Sequence, residues 1–541
     1  MMKTVSMMTR DRVRLDADVY YPDEPGEFPV LLMRQPYGRA IASTVVYAHP
    51  SWYAAQGYMV VIQDVRGRGT SAGEFKLFEH EIEDGYDAVN WAATLPGSSG
   101  VVGMYGFSYQ GMTQLYAAIN RPPALKALCP AMLAGDLYSD WAYEGGAFCL
   151  FANLAWAIQL GAETARLKGD EAAFLKFSDA ARNLPLYDRV PTRPQIMQEL
   201  AEYDSFYQTW LDHPDPEDAY WKRLSPLTYL ENFDLPMLHI GGWFDTYMRG
   251  TLNFYKAMNQ QSRAVQQLIV GAWAHLPWGR RLGAIDYGAA AVSGCDRAQV
   301  RWFDQFLKGI DTGLVNEPPI KLFEMGSNQW RTFSEFPSNA APSFYLSSTG
   351  LASIDETDGS LVSTPQRLSP ADVMVHDPWR PVPASGGHAC YPCGSFDRAS
   401  LDGRSDILTY TSEPFTEALP LAGEIVVELE CSADQPSFDI CAVLSEVKLN
   451  GSVYNFSQGY RRSDRGEAVQ SLRVSLQPTC IQIPIGSAIR LSLSGACFPA
   501  YPVNSGTGEI STMVAQIMTI AVHGGRVISL KCNSEEPSGR Q

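Results

Sequence analysis

A serine, a histidine and a carboxylate, each at the end of an apolar run, are the residues of this chain best placed by type and spacing to do nucleophilic chemistry. Ser108 stands in "VVGMYGFSYQGMTQLYAA" (101–118) between two runs of different period. Val101, Val102, Met104 and Tyr105 read as a short buried strand, and Met112, Leu115, Tyr116 and Ile119 recur at helical spacing. A serine at a sharp strand-to-helix turn holds its hydroxyl clear of the sheet, beside the first amides of the helix, which favour any oxyanion formed there. Gly106 and Gly111 relieve the crowding of such a turn. The run reads G-F-S-Y-Q-G rather than G-x-S-x-G, however, with Gln110 where the second glycine is expected. The competing reading is a Gly-Ser turn between a core strand and a core helix.

The hydroxyl needs a base, and histidine has the unperturbed pKa closest to neutrality. Of the eight histidines, His275 follows the strand-like run "QQLIVGAWA", and reactive groups of doubly wound sheets collect beyond the carboxyl ends of strands. His239 lies inside "LPMLHIGG" and reads as a core histidine, while His49, His80, His213, His376, His388 and His523 cap no strand of the α/β part. A carboxylate must hold the base's tautomer and stabilise the imidazolium. Asp245 closes "LPMLHIGGWFD", and the order Ser, Asp, His is that of α/β-hydrolases rather than of chymotrypsin or subtilisin. Asp64, at the end of "MVVIQD", competes for the role. Its sequel "VRGRGTSAGEF" offers two arginines, so a loop-holding ion pair is the expectation for it.

The elements that must position these groups follow from the texture of the chain. Its 541 residues suggest about three domains. From 1 to 142, runs such as "FPVLLMRQPYG", "GYMVVIQDVRG" and "LKALCPAM" alternate with the amphipathic "EIEDGYDAVNWAATLP", which predicts a mainly parallel sheet covered on both faces. Residues 143–235 are rich in Ala, Leu, Gln and Glu, as in "FANLAWAIQLGAETARL" and "TRPQIMQELAEYDSFYQTWL", and predict a helical insertion. Strands return over 236–318, ending in the helix "RAQVRWFDQFLKGI". Beyond 318, short runs such as "EIVVELECS", "DICAVLSEV" and "AIRLSLSGACF", separated by Gly, Ser, Asp and Pro turns, predict an all-β sandwich or jelly roll over 319–541, with a disordered tail.

Composition bounds the partners. The formal net charge of −17 repels a nucleic-acid backbone, and no apolar stretch is long enough to span a membrane, so neither nucleic acid nor a membrane is expected as a partner. The start "MMKTVSMMTRDRVRLDADVYYP" enters a strand pattern without a secretory signal, and a cytoplasmic location is expected. The ten cysteines lie at no framework spacing and read as reduced thiols. "GGHACYPCG" groups His388, Cys390 and Cys393, but no second ligand pair follows at suitable spacing. The expectation is a loop with free thiols and no metal, and no cofactor is expected either. A homo-oligomer remains open.

The elbow G-F-S-Y-Q-G, with "RQPYGR", "QDVRGRGTSAGEF", "GGWFDTY", "GAWAH", "MGSNQWR" and "FPAYPVNSGTG", resembles the family of cocaine esterase, α-amino-acid ester hydrolases, glutaryl acylases and Xaa-Pro dipeptidyl-peptidases, nearly end to end. The resemblance implies an α/β-hydrolase domain with an inserted helical cap and a C-terminal all-β jelly-roll domain. It also implies an oxyanion hole made by the Tyr109 amide and the hydroxyl of Tyr37, where the alternative for Tyr37 is a loop aromatic packed under the cap. Members that bind a free α-amino group carry D-x-E-D after the catalytic aspartate, where this chain reads Asp245, Thr246, Tyr247, Met248. Asp140 and Glu144 can still meet an ammonium, although acids beside a cap are more often solvated. Tyr247 and Trp156 align with acyl-pocket aromatics of the cocaine-esterase branch, and another pocket tryptophan falls on Ala142, with Trp141 beside it. Three readings follow: a carboxylic-ester hydrolase for an apolar or aromatic acyl group, a peptidase or acylase on the same triad, and an inert α/β part beside a ligand-binding β domain. On the first two the partner is a small-molecule ester or amide.

Overall fold

The computed structural model describes residues 1–40, 44–337, 343–465, 468–509 and 514–528. Ten strands form the first sheet: β1 (Met2–Met8), β2 (Arg14–Tyr20), β3 (Phe28–Gln35), β4 (Met59–Asp64), β5 (Ser98–Phe107), β6 (Leu125–Ala131), β7 (Met237–Phe244), β8 (Gln266–Ala274), β9 (Ile320–Glu324) and β10 (Gln329–Phe333). Their order is β1-β2-β4-β3-β5-β6-β7-β8-β9-β10. Pairing is parallel from β4 through β9 and antiparallel at the two margins. The unbroken apolar runs of the central strands explain this: Val30–Met33 and Met59–Ile62 are wholly buried, as strands covered on both faces must be.

Register carries the candidate side chains to one edge. Gln35 pairs with Asp64, Phe107 with Ala131, and Phe244 with Ala274. The residues that follow these carboxyl ends, Tyr37, Ser108, Asp245 and His275, therefore gather along one rim of the sheet. The helix Tyr109–Ile119 packs against Glu81–Ala93 at Gly85, where a Cβ would come within 2.8 Å of Ala117 Cβ.

The chain between β6 and β7 is mainly helical, with one two-stranded hairpin of Tyr143–Glu144 and Ala147–Phe148. It opens with a turn of π-helix at Tyr138–Ala142 and continues into the helix Leu150–Lys168, which ends at Gly169 in the left-handed region (φ 73°). Asp170 then caps Glu171–Arg182 by accepting from the Ala173 amide. The helical run expected over "TRPQIMQELAEYDSFYQTWL" is broken into Gln195–Glu199, Ala201–Tyr203 and Tyr207–Asp212. Asp204 causes the break, because its carboxylate accepts from the amides of Phe206, Tyr207 and Gln208 and so starts a new helix.

The composition break at 318 is not the edge of the first sheet. β9 lies parallel to β8 with Leu268 opposite Ile320, and β10 returns antiparallel on β9, so the sheet ends only at Phe333. Ile320, Leu322 and Phe323 are buried, and this apolar run has a neighbour in β8. The strands from Phe344 to Ile528 form a separate all-β region around a second ten-stranded sheet. Among the described residues no helix is long and apolar enough to cross a membrane.

Candidate active site

Ser108 occupies a tight elbow. Its backbone lies at φ 61° and ψ −127°, costly for a residue with a Cβ and upheld only where the surroundings enforce it. The Ser108 amide donates to Ala131 O at 2.9 Å, and Ser108 O accepts from Gly111 N at 2.9 Å and Met112 N at 3.0 Å. The shifted glycine has a steric cause. A Cβ on Gly106 would stand 2.5 Å from Gln110 Cβ, and one on Gly111 would stand 2.7 Å from Ala131 O. The elbow tolerates Gln110 because Gly106 yields the space, and it needs Gly111 where the helix presses on β6.

Asp245 and His275 meet across β7 and β8. His275 Nδ1 lies 2.8 Å from Asp245 Oδ1, the Asp245 side chain is fully buried, and that of His275 is 27% exposed. The bond fixes Nδ1 and leaves Nε2 on the opposite side of the ring. The ring centroid of His275 lies 5.4 Å from that of Phe107, the residue before the serine, and Tyr247 stands edge-on to it at 5.0 Å. Among the described residues no hydrogen bond joins Ser108 to His275; catalytic contacts of this kind commonly tighten only with substrate.

Tyr37 is half-buried beyond β3, and its oxygen accepts from Trp156 Nε1 at 3.1 Å. Burial raises the phenol's pKa further than the Trp156 bond lowers it, so the hydroxyl keeps its proton and remains a donor. Tyr109 begins its helix, where the first amides have no intrahelical acceptor. Its phenol points away from this role and donates to Glu81 Oε1 at 2.8 Å.

A cluster of aromatic rings continues from Tyr247, which stands beside His275. Trp141 stacks on Trp156 at 5.3 Å and leans on Tyr247 at 4.0 Å, while Phe78 and Phe206 close on Trp156 at 6.4 and 5.0 Å. Ala142, where the resemblance places a pocket tryptophan, is a buried residue, and its neighbour Trp141 faces the other aromatics. Phe78 and Phe206 carry no motif, and only the packing of distant segments on Trp156 reveals them.

Several expectations are revised. Asp64 does form the ion pair expected of it, but with neither arginine of its own loop. Arg39 Nη1 binds it at 2.6 Å, and Arg66 binds Asp84 and Asp11 instead. Asp140 and Glu144 are not solvated. Asp140 accepts from the amides of Gly135 and Asp136 and from Asn253 Nδ2, and burial pushes its carboxyl up to about 6. Glu144 is buried between Arg249 Nη1 at 2.7 Å and His388 Nε2 at 3.0 Å, with the Tyr501 hydroxyl also donating to it. His388 thus bonds Glu144, Cys393 donates weakly to the Cys390 carbonyl, and among the described residues no group of three or more ligands could hold a metal. His239 is the core histidine expected, bonded through Nε2 to Gln266 and lowered by burial to about 4. The C-terminal region also reaches the aspartate loop, for Gln477 Nε2 donates to Asp245 O at 2.6 Å and Thr246 Oγ1 to His388 O at 2.7 Å. Gln477 stood in no motif.

Comparison with known proteins places this geometry. Residues 11–277 match the family described as X-Pro dipeptidyl-peptidase (S15 family), and residues 312–527 match the X-Pro dipeptidyl-peptidase C-terminal non-catalytic domain. The chain is 30% identical over 541 aligned residues to cocaine esterase of Rhodococcus sp. (strain MB1 Bresler), covering 94% of this chain and 92% of that protein. Among solved structures, an aminopeptidase from a marine sediment Thaumarchaeota archaeon superposes with a TM-score of 0.79 at 21% identity, over 98% of this chain and 96% of that one. An α-amino acid ester hydrolase superposes at 0.76 with 20% identity, over 98% and 97%. These two likenesses concern the fold.

Proposed function

Since the chain belongs to the S15 family of X-Pro dipeptidyl-peptidases and related serine hydrolases, and is therefore an enzyme, we propose that it hydrolyses carboxylic esters through an acyl-Ser108 intermediate. The observation that carries this reading is the 2.8 Å bond from His275 to buried Asp245, at the rim that also holds the strained elbow of Ser108. His275 Nε2 takes the Ser108 proton as Oγ attacks the ester carbonyl, then returns it to the leaving alcohol. In the second half of the cycle it activates water against the acyl-enzyme. Asp245 holds the imidazolium through its bond to Nδ1. The Tyr37 hydroxyl and the Tyr109 amide receive the tetrahedral oxyanion, Trp156 having already satisfied one lone pair of Tyr37.

The acyl group lies against Trp141, Trp156, Tyr247 and Phe78, a lining that favours an apolar or aromatic stem. The helical residues 143–235 form the cap over it, and the β region following the first sheet is read as a jelly roll buttressing the aspartate loop. Release of dipeptides would call for an acid to hold the free ammonium. Glu144 is engaged by Arg249 and His388, and Asp140 by backbone amides, which weakens that alternative. The test is a comparison of p-nitrophenyl esters of acids with and without an α-amino group, beside Gly-Pro-anilide. The plain esters are expected to be cleaved at least as fast as their amino counterparts and far faster than the anilide; a strong preference for the amino compounds or the anilide would overturn the reading.

A further inference from the structure

One buried carboxylate joins the two elements that carry the candidate oxyanion donors. Glu81, the first residue of the helix Glu81–Ala93, is 3% exposed. Its Oε1 accepts from the Tyr109 phenol at 2.8 Å, and its Oε2 accepts from Arg34 Nη1. Burial raises the Tyr109 pKa well above its ordinary value and the Glu81 charge raises it further, so the phenol keeps its proton and is the donor in that bond. Arg34 is wholly buried on β3, and its Nε donates to Gln63 Oε1 on β4 at 2.8 Å. The Arg34 carbonyl accepts from Thr113 Oγ1 at 3.2 Å, one turn along the helix that Tyr109 begins. Tyr37 follows Arg34 by three residues, and its amide donates to Gln35 Oε1 at 2.7 Å. An acid in the first turn of a helix is ordinary at a surface. A buried ion pair is weak evidence for stability, since apolar residues of similar volume often serve as well or better. Among the described residues Arg34 Nη2 is buried without a hydrogen bond, which lowers the stabilising worth of this pair further.

What the carboxylate does fix is direction. Phe78 stacks on the Tyr109 ring at 4.8 Å, Phe75 leans on it at 6.1 Å, and Glu81 holds the oxygen at its tip. With the side chain anchored at its far end, the backbone at Tyr109 cannot turn about the elbow without breaking that bond. An oxyanion hole works only where both donors lie about 2.7–3.1 Å from the position that the oxygen takes in the transition state. We propose that Glu81 is the positioning residue of the oxyanion hole: it ties the Tyr109 helix to the end of β3 and so sets the spacing between the Tyr109 amide and the Tyr37 hydroxyl. Glu81 acts through Tyr109 and Arg34 and not on the substrate itself. This inference rests on the ester-hydrolase reading and adds to it the group that holds the two donors in place.

The test compares the full chain with Tyr109→Phe, which removes the phenol oxygen and keeps the amide, the ring and the Arg34–Glu81 pair. Losing an oxyanion donor outright costs about 100- to 1,000-fold in kcat, and a donor displaced but still present should cost about tenfold. On p-nitrophenyl esters kcat is therefore expected to fall about tenfold, with KM within about twofold of wild type. A merely structural role would not split two inhibitors: an arylboronic acid, which adds to Ser108 as a tetrahedral adduct, and the carboxamide of the same aryl acid, which stays trigonal. Tyr109→Phe is expected to weaken the boronic acid about tenfold and to leave the carboxamide unaltered. A kcat within about threefold of wild type in the folded variant, or equal losses for the two inhibitors, would overturn the proposal. Glu81→Gln cuts the charged tie to Arg34 instead and is expected to show the same split wherever melting curves show it folded; an unaltered kcat there would also overturn the proposal, and Tyr109→Phe decides alone if Glu81→Gln is unfolded. Absence of ester hydrolysis in the folded wild type would strike the esterase reading instead, and the inhibitor affinities would then decide the role of Glu81. No binding of the boronic acid to the wild type would overturn both.

Discussion

Tyr37→Phe deletes a single oxygen, and two separable effects follow from where that oxygen sits. The first is catalytic. In the proposed role, a half-buried phenol that keeps its proton donates to the oxyanion more strongly than to the ground-state carbonyl, so its loss falls on kcat rather than KM. One such donor is worth about 2.7–4 kcal/mol, which gives a loss on the order of 100- to 1,000-fold. The second is structural. Trp156 Nε1 loses the acceptor it holds at 3.1 Å, and an N–H left unpaired costs about 1–3 kcal/mol, the lower end applying because both residues are only half-buried. The ring itself survives and packing with it. A companion variant separates the effects: in Tyr37→Phe/Trp156→Phe the orphaned donor is gone, so part of the stability should return while kcat stays low. Initial rates over a range of ester concentrations, with melting curves for wild type, both single variants and the double, supply the comparison. A kcat within threefold of wild type in Tyr37→Phe would refute the assignment of Tyr37 to the oxyanion and leave the Tyr109 amide in need of another partner.

Two further expectations follow from the contacts between regions. Gln477→Leu removes the amide that holds the Asp245 carbonyl at 2.6 Å, so kcat should fall roughly five- to tenfold with little change in KM; stopped-flow or steady-state rates at saturating ester check this, and an unaltered kcat would free the aspartate loop from the C-terminal region. Burial raises the Glu144 carboxyl, but the charges of Arg249 and His388 outweigh it and hold it well below the usual carboxylate range. Its contribution is thus fully present above the unfolded value of about 4.3 and is lost as the pH falls below that. Glu144→Gln should therefore cost about 3–5 kcal/mol at pH 7, leaving Arg249 uncompensated, and the gap to wild type should narrow below pH 4. Denaturant melts at several pH values read both, and a gap that widens on acidification would contradict the assignment.

The parts of this site that could be read in advance are those whose signal is local. Ser108 is visible because a buried strand stops and a helical period starts around it, and Asp245 and His275 because each ends an apolar run that can only be a central strand. What could not be read depends on pairing between distant segments. Asp64 had two arginines within four residues, yet Arg39 reaches it because β3 and β4 lie in parallel register and carry both loops to the same edge. Glu144 looked like a free acid of the cap because its partners, His388 and Tyr501, come from the other end of the chain. The strands at 320–333 have the short, turn-bounded texture of the C-terminal region, and only the vacant edge of β8 recruits them to the first sheet. Arg68 looked like one of a pair of loop arginines, and its burial without a carboxylate partner is a property of the folded chain alone.

The central claim is that Ser108 becomes acylated. Brief exposure of the enzyme to a p-nitrophenyl ester, acid quenching and peptide mass analysis test it directly. The account predicts a burst of p-nitrophenol matched to the enzyme present and an acyl increment on the peptide bearing Ser108, with neither burst nor increment in a folded Ser108→Ala protein. Acylation of a different residue, or undiminished turnover in Ser108→Ala, would contradict it.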